Sequence, residues 1–199
     1  MMDTFSDGTF RPNANVTRQD LAETLYMNTA LRQTLGNSRR FNDITGVLAA
    51  IAEAVTSKGS TLRDWYTAEN LLAPDGMMPI NGSSFGRTLK TSRLDLAVAL
   101  VRALGLDAAA KARAGTNVTV TYSGQTIVVD DNADIPLAMR GYVQLALDNG
   151  ILQARFWTTQ GPFDPLPVLH ASVKPNDLNT RAATAYALDH YRQHFVAGN

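Results

Sequence analysis

The stretch FSDGTFRPNANVTRQDLAETL, residues 5–25, combines turn signals with the start of a helix. Asp7-Gly8 favours a turn, because glycine accepts a positive φ and the aspartate side chain bonds nearby backbone. The proline after Arg11 restricts that residue to an extended backbone. Thr17, followed three residues later by Asp20, predicts a capping box, so a helix begins at the next residue.

Arg18 therefore occupies the first helical turn, where a cation faces the positive end of the helix dipole. A bound anion would relieve this, since exposed amides and a guanidinium would both point at it. The alternative is structural: Arg18 pairs with Asp20 or with a carboxylate of a neighbouring element. One copy of the pattern leaves both interpretations open.

The same order of capping residue, arginine and helix recurs at Ser92–Asp95 and Thr180–Ala183. The third copy has Ala183 where the other two have an acid. Each copy predicts a helix, covering Arg18–Gln33, Arg93–Leu104 and Arg181–Phe195. Internal repeats of this kind indicate units that bury their apolar faces only by packing on one another.

The segment Asp7–Ala22, with its DGTFRP turn and TRQD helix start, resembles the second half of an S-layer homology (SLH) domain. The resemblance extends over Phe41–Leu104, where Phe41-Asn42-Asp43 looks like the family's opening F-x-D, and over Asp130–His194. The chain thus resembles two and a half SLH repeats. This implies a mainly α fold of tandem helical repeats in a pseudo-threefold arrangement, packed as one structural unit.

The implied units are a partial repeat, a full repeat, a β-hairpin insertion and a second full repeat, at residues 1–40, 41–115, 116–129 and 130–199. The hairpin is predicted from the alternating pattern of Asn117–Val129, with a turn at Ser123-Gly124. Because the first repeat lacks its opening helix, we expect residue 1 to be a processing boundary.

Further elements follow from local patterns. An apolar stripe predicts a helix over Gly46–Lys58, and Leu62–Leu72 is interpreted as another short helix. Ala73–Lys90, rich in glycine, proline, asparagine and serine, is expected to form a long ordered loop. Asp134 and Pro136 predict the cap and first residue of a helix. Asp130-Asp131 is interpreted as capping or solvated charge.

Trp65 and Trp157 each stand between the first helix of a fuller repeat and its threonine–arginine-type turn. An aromatic ring beside a groove can stack on the C–H face of a sugar. The alternative is that the tryptophans pack in the core between repeats, where fluorescence would not respond to a glycan.

The amino-acid composition limits the classes of function that the chain is expected to have. The chain has 199 residues, 45% apolar, with a net charge of zero and no cysteine. This argues for a folded protein, against recognition of nucleic acid or an anionic membrane surface, and against disulfides. No apolar run is long enough for a membrane span and no signal peptide is evident. For an exported protein we expect that signal upstream.

Catalytic patterns are poor, so we expect no enzyme activity and no cofactor. Histidine occurs only at positions 170, 190 and 194, without a nucleophile-elbow motif. His190 and His194 have the spacing of helical zinc ligands but no evident third ligand, so a polar helix end is the favoured interpretation.

The resemblance implies non-covalent anchoring to the bacterial cell envelope, outside the cell, through an acidic, pyruvylated secondary cell-wall polysaccharide bound in grooves between repeats. The family's ligand arginine matches Arg18, Arg93 and Arg181, and its acidic position matches Asp20 and Asp95. Together with Trp65 and Trp157 these are the expected ligand-binding residues. The alternatives are an accessory docking module of a secreted hydrolase or protease, with its catalytic domain upstream, or an enzyme in its own right.

Overall fold

A computed structural model describes residues 2–29, 41–56, 60–63, 70–73, 76–80, 82–163 and 165–196. Within these ranges the chain forms six α-helices: α1 Arg18–Asn28, α2 Gly46–Thr56, α3 Arg93–Ala103, α4 Asp107–Ala112, α5 Arg140–Asp148 and α6 Arg181–Val196. It also forms three antiparallel strand pairs: β1 Ser60–Arg63 with β2 Asn70–Ala73, β3 Thr119–Tyr122 with β4 Gln125–Val128, and β5 Arg155–Thr159 with β6 Val168–Ser172.

Both predicted capping boxes are confirmed. The Thr17 side chain accepts a hydrogen bond from the Asp20 amide, and the Asp20 carboxylate accepts one from the Thr17 amide. Ser92 and Asp95 form the same reciprocal pair at the start of α3. These bonds satisfy amide groups that the first turn of a helix otherwise leaves without partners.

Three buried residues join the segments ahead of α1, α3 and α6 in a closed ring of backbone hydrogen bonds. The amide of Val16 donates to Asn179 O at 2.9 Å, that of Asn179 to Thr91 O at 2.8 Å, and that of Thr91 to Val16 O at 3.0 Å. All three residues have no solvent exposure. The ring therefore fixes the relative positions of three helix starts that lie far apart in sequence.

A second set of backbone bonds connects each helix start to a loop of another segment. The amides of Arg18 and Gln19 donate to Leu89 O and Arg87 O. The starts of α3 and α6 repeat this pattern: Arg93 N to Asp177 O, Leu94 N to Pro175 O, Arg181 N to Ala14 O, and Ala182 N to Pro12 O. The three connections close a cycle in which α1 holds the loop before α3, α3 the loop before α6, and α6 the loop before α1.

The helices pack in pairs around one apolar core. α1 lies against α2, and α3 and α4 lie against α5. Leu21 and Leu25 of α1, Leu100 of α3 and Tyr142 of α5 are all fully buried in this core. The core thus includes residues from both packed groups of helices, α1 with α2, and α3 and α4 with α5. This is expected for units that cannot bury their apolar faces alone.

The predicted helix over Leu62–Leu72 is wrong in its described parts. β1 and β2 occupy its two ends, with Leu62 opposite Leu71 and Thr61 opposite Leu72. A short apolar segment fits either a helix or a strand, and the cross-strand pairing decides between them here. Trp65 lies outside the described residues.

The predicted helix start at Asp134 is also wrong. Two 3₁₀ turns, Asn132–Asp134 and Leu137–Met139, precede α5, and Asp134 makes no capping bond. The α-helix begins only at Arg140, where Gly141 passes so close to Ala110 that a Cβ would stand 2.0 Å from the carbonyl oxygen. This close packing on α4 is a tertiary feature that capping signals do not report.

Three other expectations are settled by the backbone. α1 ends at Asn28 instead of Gln33, and Arg11 has a φ of +49° instead of an extended conformation. The hairpin over Asn117–Val129 is confirmed as β3–β4. The β5–β6 hairpin has no counterpart in the sequence predictions.

None of the helices in the described ranges has the length and apolar character needed to span a membrane.

The ring generates a stability prediction. Asn179 Oδ1 is buried without a hydrogen-bond partner among the described residues, whereas Thr91, at the matching ring position, donates through Oγ1 to Val16 O at 3.0 Å. Asn179→Thr removes the orphaned oxygen and copies the Thr91 arrangement, but it also loses the hydrogen bond from Asn179 Nδ2 to Thr184 Oγ1 at 2.7 Å. Because Thr184 Oγ1 still donates to Thr180 O, removal of the orphaned oxygen should outweigh this loss, and the free energy of unfolding should rise by about 1 kcal/mol or less. Thermal denaturation measures this.

The reciprocal variant Thr91→Asn is the control, because it places a second amide at a buried ring position. Its melting temperature should fall. A lower melting temperature for Asn179→Thr would contradict the proposed cost of the orphaned oxygen.

Candidate functional site

The three arginines predicted to bind ligand share one geometry. Arg18 donates from Nε to Phe85 O and from Nη2 to Pro79 O, both at 2.8 Å. Arg93 donates from Nε to Val173 O at 2.9 Å and from Nη2 to Gln153 O at 2.8 Å. Arg181 donates from the same two atoms to Phe10 O and Asp3 O. Each guanidinium thus binds the loop that its own helix start also holds.

The helix-start amides are not available to an anion. The amides of Arg18, Arg93 and Arg181 all donate to loop carbonyls, as do those of the residues that follow them. Burial lowers the pKa of both Arg18 and Arg93. An anionic ligand at these sites would have to be recognised by side chains, because the backbone donors that the sequence suggested are already used.

Asp20 and Asp95 serve mainly as helix caps. Asp20 Oδ2 accepts from both the amide and the hydroxyl of Thr17, and Asp95 Oδ2 does the same with Ser92. Neither carboxylate forms an ion pair with the adjacent arginine in the described residues. The guanidinium of Arg18 instead lies 4.9 Å from the ring of Phe85, a cation–π contact.

One cavity brings two of the predicted site residues together. It measures about 210 Å³ and is lined by Arg181, Asp20, Glu23 and Asp3, among others. Three carboxylates surround the single arginine, so the cavity is unfavourable for an acidic ligand and better suited to hydroxyl groups. At this point Arg181 binds Asp3 O and lies over the ring of Phe5.

A second arginine lies near Arg93, where the start of α3 is bonded to the segments that flank the β5–β6 hairpin. The Nη2 atom of Arg93 reaches Gln153 O, two residues before Arg155. After burial, the charge of Arg155 is the largest influence that lowers the pKa of Arg93, while Asp177 and Asp131 raise it. Two cations therefore lie near each other, and an anion placed between them would reduce their repulsion.

Trp157 lies on the same face of β5 as Arg155, because alternate residues of a strand point the same way. It is 42% exposed, and its ring stacks on His170 with centroids 5.4 Å apart and planes 10° apart. His170 is held at both nitrogens, by Asp130 at 2.9 Å and Thr159 at 2.8 Å. The imidazole covers part of the indole, and the rest remains accessible to solvent.

A comparison against known families bears on the first of the three capped helices. Residues 2–22 match the S-layer homology domain. This match confirms the resemblance over Asp7–Ala22. No curated protein matches the chain. SLH domains are in general non-catalytic modules that anchor proteins to the cell wall by binding secondary cell-wall polymers.

The segment Phe41-Asn42-Asp43 has a structural role that the sequence did not reveal. The carboxylate of Asp43 accepts from the amides of Phe85 and Gly86, at 2.7 and 2.8 Å. Its neighbour Phe41 is buried and lies 5.4 Å from the Phe85 ring. Partial burial alone would raise the pKa of Asp43, but the hydrogen bonds outweigh it and lower the pKa to about 2.

Asp131 repeats this role in the last third of the chain. It accepts from the amides of Val173 and Lys174 at 3.1 and 2.6 Å, and from the Ser172 hydroxyl at 2.8 Å. The sequence interpretation of Asp131 as a cap or solvated charge missed these contacts. The available signal was its spacing: Asp131 follows the apolar Val129 by two positions, as Asp43 follows Phe41.

The remaining histidines lie on α6. His190 contacts the ring of Tyr186, with centroids 4.3 Å apart, and His194 Nε2 lies 3.2 Å from Asn149 O. Within the described residues there is no group of three histidine, aspartate or glutamate side chains that could hold a metal ion.

The depressed pKa of Asp43 generates a pH prediction. An aspartate in the unfolded chain has a pKa of about 3.9, so Asp43 contributes stability above that pH and loses it as the pH falls towards 2. Asp43→Asn should therefore unfold at a lower denaturant concentration than the parent protein at pH 7. Between about pH 4 and pH 2, the free energy of unfolding of the variant should fall less than that of the parent protein.

Urea titrations at several pH values measure both effects. Asp189→Asn, at an exposed position of α6, is the matched control and should leave the parent profile unchanged. If the Asp43→Asn curve runs parallel to that of the parent protein across this pH range, the assigned role of Asp43 is wrong.

Proposed function

We propose that this chain is a non-catalytic anchoring module that attaches its parent protein to the bacterial cell envelope by binding an acidic secondary cell-wall polysaccharide. The observation that carries the proposal is the match of residues 2–22 to the SLH domain. The cell-wall polysaccharide, or a glycan linked to peptidoglycan, would be the partner outside the cell. A pyruvate ketal on that glycan would supply the carboxylate.

In this proposal the chain consists of two and a half SLH repeats in a pseudo-threefold arrangement. The closed ring of backbone bonds at Val16, Thr91 and Asn179 supports it, as does the equivalent clamp of three arginines. The repeats would meet at this ring, and the ligand grooves would lie between them, beside Arg18, Arg93 and Arg181.

Of the proposed grooves, the one at Arg93 would fit an acidic glycan best. Arg93 and Arg155 supply positive charge, and Trp157 supplies an exposed ring on which a sugar can stack. Because His170 covers part of the indole, the sugar would use the part left open. Trp65, Asp20 and Asp95 remain proposed contacts of the other grooves, with the two carboxylates accepting sugar hydroxyls through the oxygens that capping leaves over.

Purified bacterial cell walls test the function. The chain should co-sediment with walls that carry a pyruvylated secondary polysaccharide, and extraction of that polysaccharide should abolish co-sedimentation. Retention on extracted walls would instead point to peptidoglycan. Failure to bind either preparation would contradict the anchoring function and favour an accessory docking module of a secreted hydrolase or protease.

Arg155→Ala tests the groove more cleanly than a change at Arg93. Arg93 is bonded to two loop carbonyls, so its removal would alter folding as well as binding. Arg155 is exposed, and its loss should weaken wall binding by about 1 kcal/mol or more with no loss of thermal stability. Binding isotherms on whole walls and melting curves give the two quantities.

Arg192→Ala, which removes an exposed arginine from α6, is the matched control. It should bind walls as the parent protein does, since it lies away from this groove. Equal losses of binding in both variants would indicate a general effect of net charge and would contradict the assigned groove.

A further inference from the structure

Two of the β-hairpins present a surface without charged residues. Residues 117–129 and 156–163, which contain β3, β4 and all of β5 except Arg155, include no aspartate, glutamate, lysine or arginine. These four residue types make up 18% of the whole chain. β5 is exposed along its full length, and β3 and β4 are exposed at the ends that meet in their turn. This surface therefore offers neither attraction nor a counter-charge to an ionic partner.

An exposed pair of aromatic side chains joins the two hairpins. Tyr122 at the end of β3 lies against Phe156 of β5, with ring centroids 5.0 Å apart and planes 32° apart. Tyr122 is 52% exposed and Phe156 is 37% exposed. Each aromatic ring restrains the other without covering it. A ligand that stacks on this aromatic pair thus meets rings that are already ordered, which lowers the entropy cost of binding.

Uncharged polar side chains flank the aromatic pair. Gln125 is the cross-strand partner of Tyr122, and Thr158 follows Phe156 by two positions, on the same face of β5. Both residues are exposed. The glutamine amide supplies hydrogen-bond donors and an acceptor, and the threonine hydroxyl supplies one donor and accepts as well. The acetamido group of an N-acetylated sugar has the complementary acceptor and donor.

The aromatic pair is separate from the surface at Trp157. Successive residues of a strand point to opposite faces, so Phe156 lies on one face of β5 and Arg155 and Trp157 lie on the other. Tyr122 approaches β5 from the Phe156 face. A ligand stacked on the aromatic pair therefore uses a different set of side chains from a ligand stacked on Trp157.

The chemistry of this surface selects among classes of partner. Nucleic acids and anionic membrane surfaces are bound through lysine and arginine, which these segments lack. A neutral sugar offers what the surface can use, because it has apolar C–H faces for the aromatic rings and hydroxyl or amide groups for Gln125 and Thr158.

We propose that the aromatic pair Tyr122–Phe156 is a second glycan-binding site, which takes an uncharged strand of β-linked N-acetylhexosamines. One sugar stacks its C–H face on the aromatic pair, and its acetamido group exchanges hydrogen bonds with the side-chain amide of Gln125. This binding is independent of the acidic polysaccharide proposed for the groove at Arg93. A single stacking site binds weakly, so it does not by itself retain the chain on sedimented walls.

Chitohexaose, the uncharged hexamer of β-linked N-acetylglucosamine, is the probe. In ¹⁵N-resolved NMR titrations of the full chain, the amide signals of Tyr122 and Phe156 should shift progressively as the sugar is added. The dissociation constant should stay within twofold when salt is raised from about 0.05 M to about 0.5 M, since no ion pair is screened. Shifts confined to other residues, or a tenfold weakening with salt, would overturn the proposal.

Leucine variants test the aromatic pair without opening the contact between the hairpins. Tyr122→Leu and Phe156→Leu keep an apolar side chain but remove the aromatic face, so each should weaken chitohexaose binding at least about fivefold with little change in melting temperature. Tyr186→Leu, at a position of α6 that is 38% exposed, is the matched control and should bind as the parent protein does. Equal losses in all three variants would contradict the assigned site.

Gln125→Glu tests the recognition of the acetamido group. The carboxylate has no N–H donor, so binding of chitohexaose should fall several-fold. Binding of cellohexaose, which has hydroxyls in place of the acetamido groups, should stay close to that of the parent protein. An equal change for both sugars would refute the role of Gln125.

A dilution series without sugar tests whether a second copy of the chain covers the aromatic pair instead. The amide signals of Tyr122 and Phe156 should not depend on protein concentration. Progressive shifts of these two signals with concentration would assign the surface to self-association and defeat the glycan site.

Discussion

Three buried main-chain hydrogen bonds, among Val16, Thr91 and Asn179, hold the start of one helix to the starts of two others. Because a buried amide without a partner is costly, none of the three segments can leave the ring without stranding polar groups of the other two. The segments contact one another directly, and the ring fixes the relative positions of the helix starts around the apolar core.

The clamping arginines follow from this constraint. Each helix start donates its first amides to a neighbouring loop, which brings that loop within reach of the arginine in the first turn. The guanidinium then binds two loop carbonyls, as Arg93 does at Val173 and Gln153. The arginines proposed to recognise the ligand thus also hold the fold together, whereas the neighbouring Arg155 is exposed.

The loops held by Phe41–Asp43 and Val129–Asp131 show how an aspartate completes each unit. A carboxylate accepts two consecutive amides, and its pKa falls because these bonds favour the charged form. Asp43 and Asp131 thereby hold the same loops that Arg18 and Arg93 clamp, since each pair binds the amide and the carbonyl of one residue, Phe85 or Val173.

The sequence by itself determined the local features: the capping boxes at Thr17 and Ser92, the β3–β4 hairpin and the segment that matches the SLH domain. Such signals act over a few residues, so short patterns suffice to read them. Only the tertiary structure decided the rest. The two described ends of Leu62–Leu72 pair as strands. Two 3₁₀ turns precede α5, and Gly141 packs closely on α4. The helix-start amides donate to distant loops. Long-range backbone pairing selects among local alternatives that the sequence leaves close in energy.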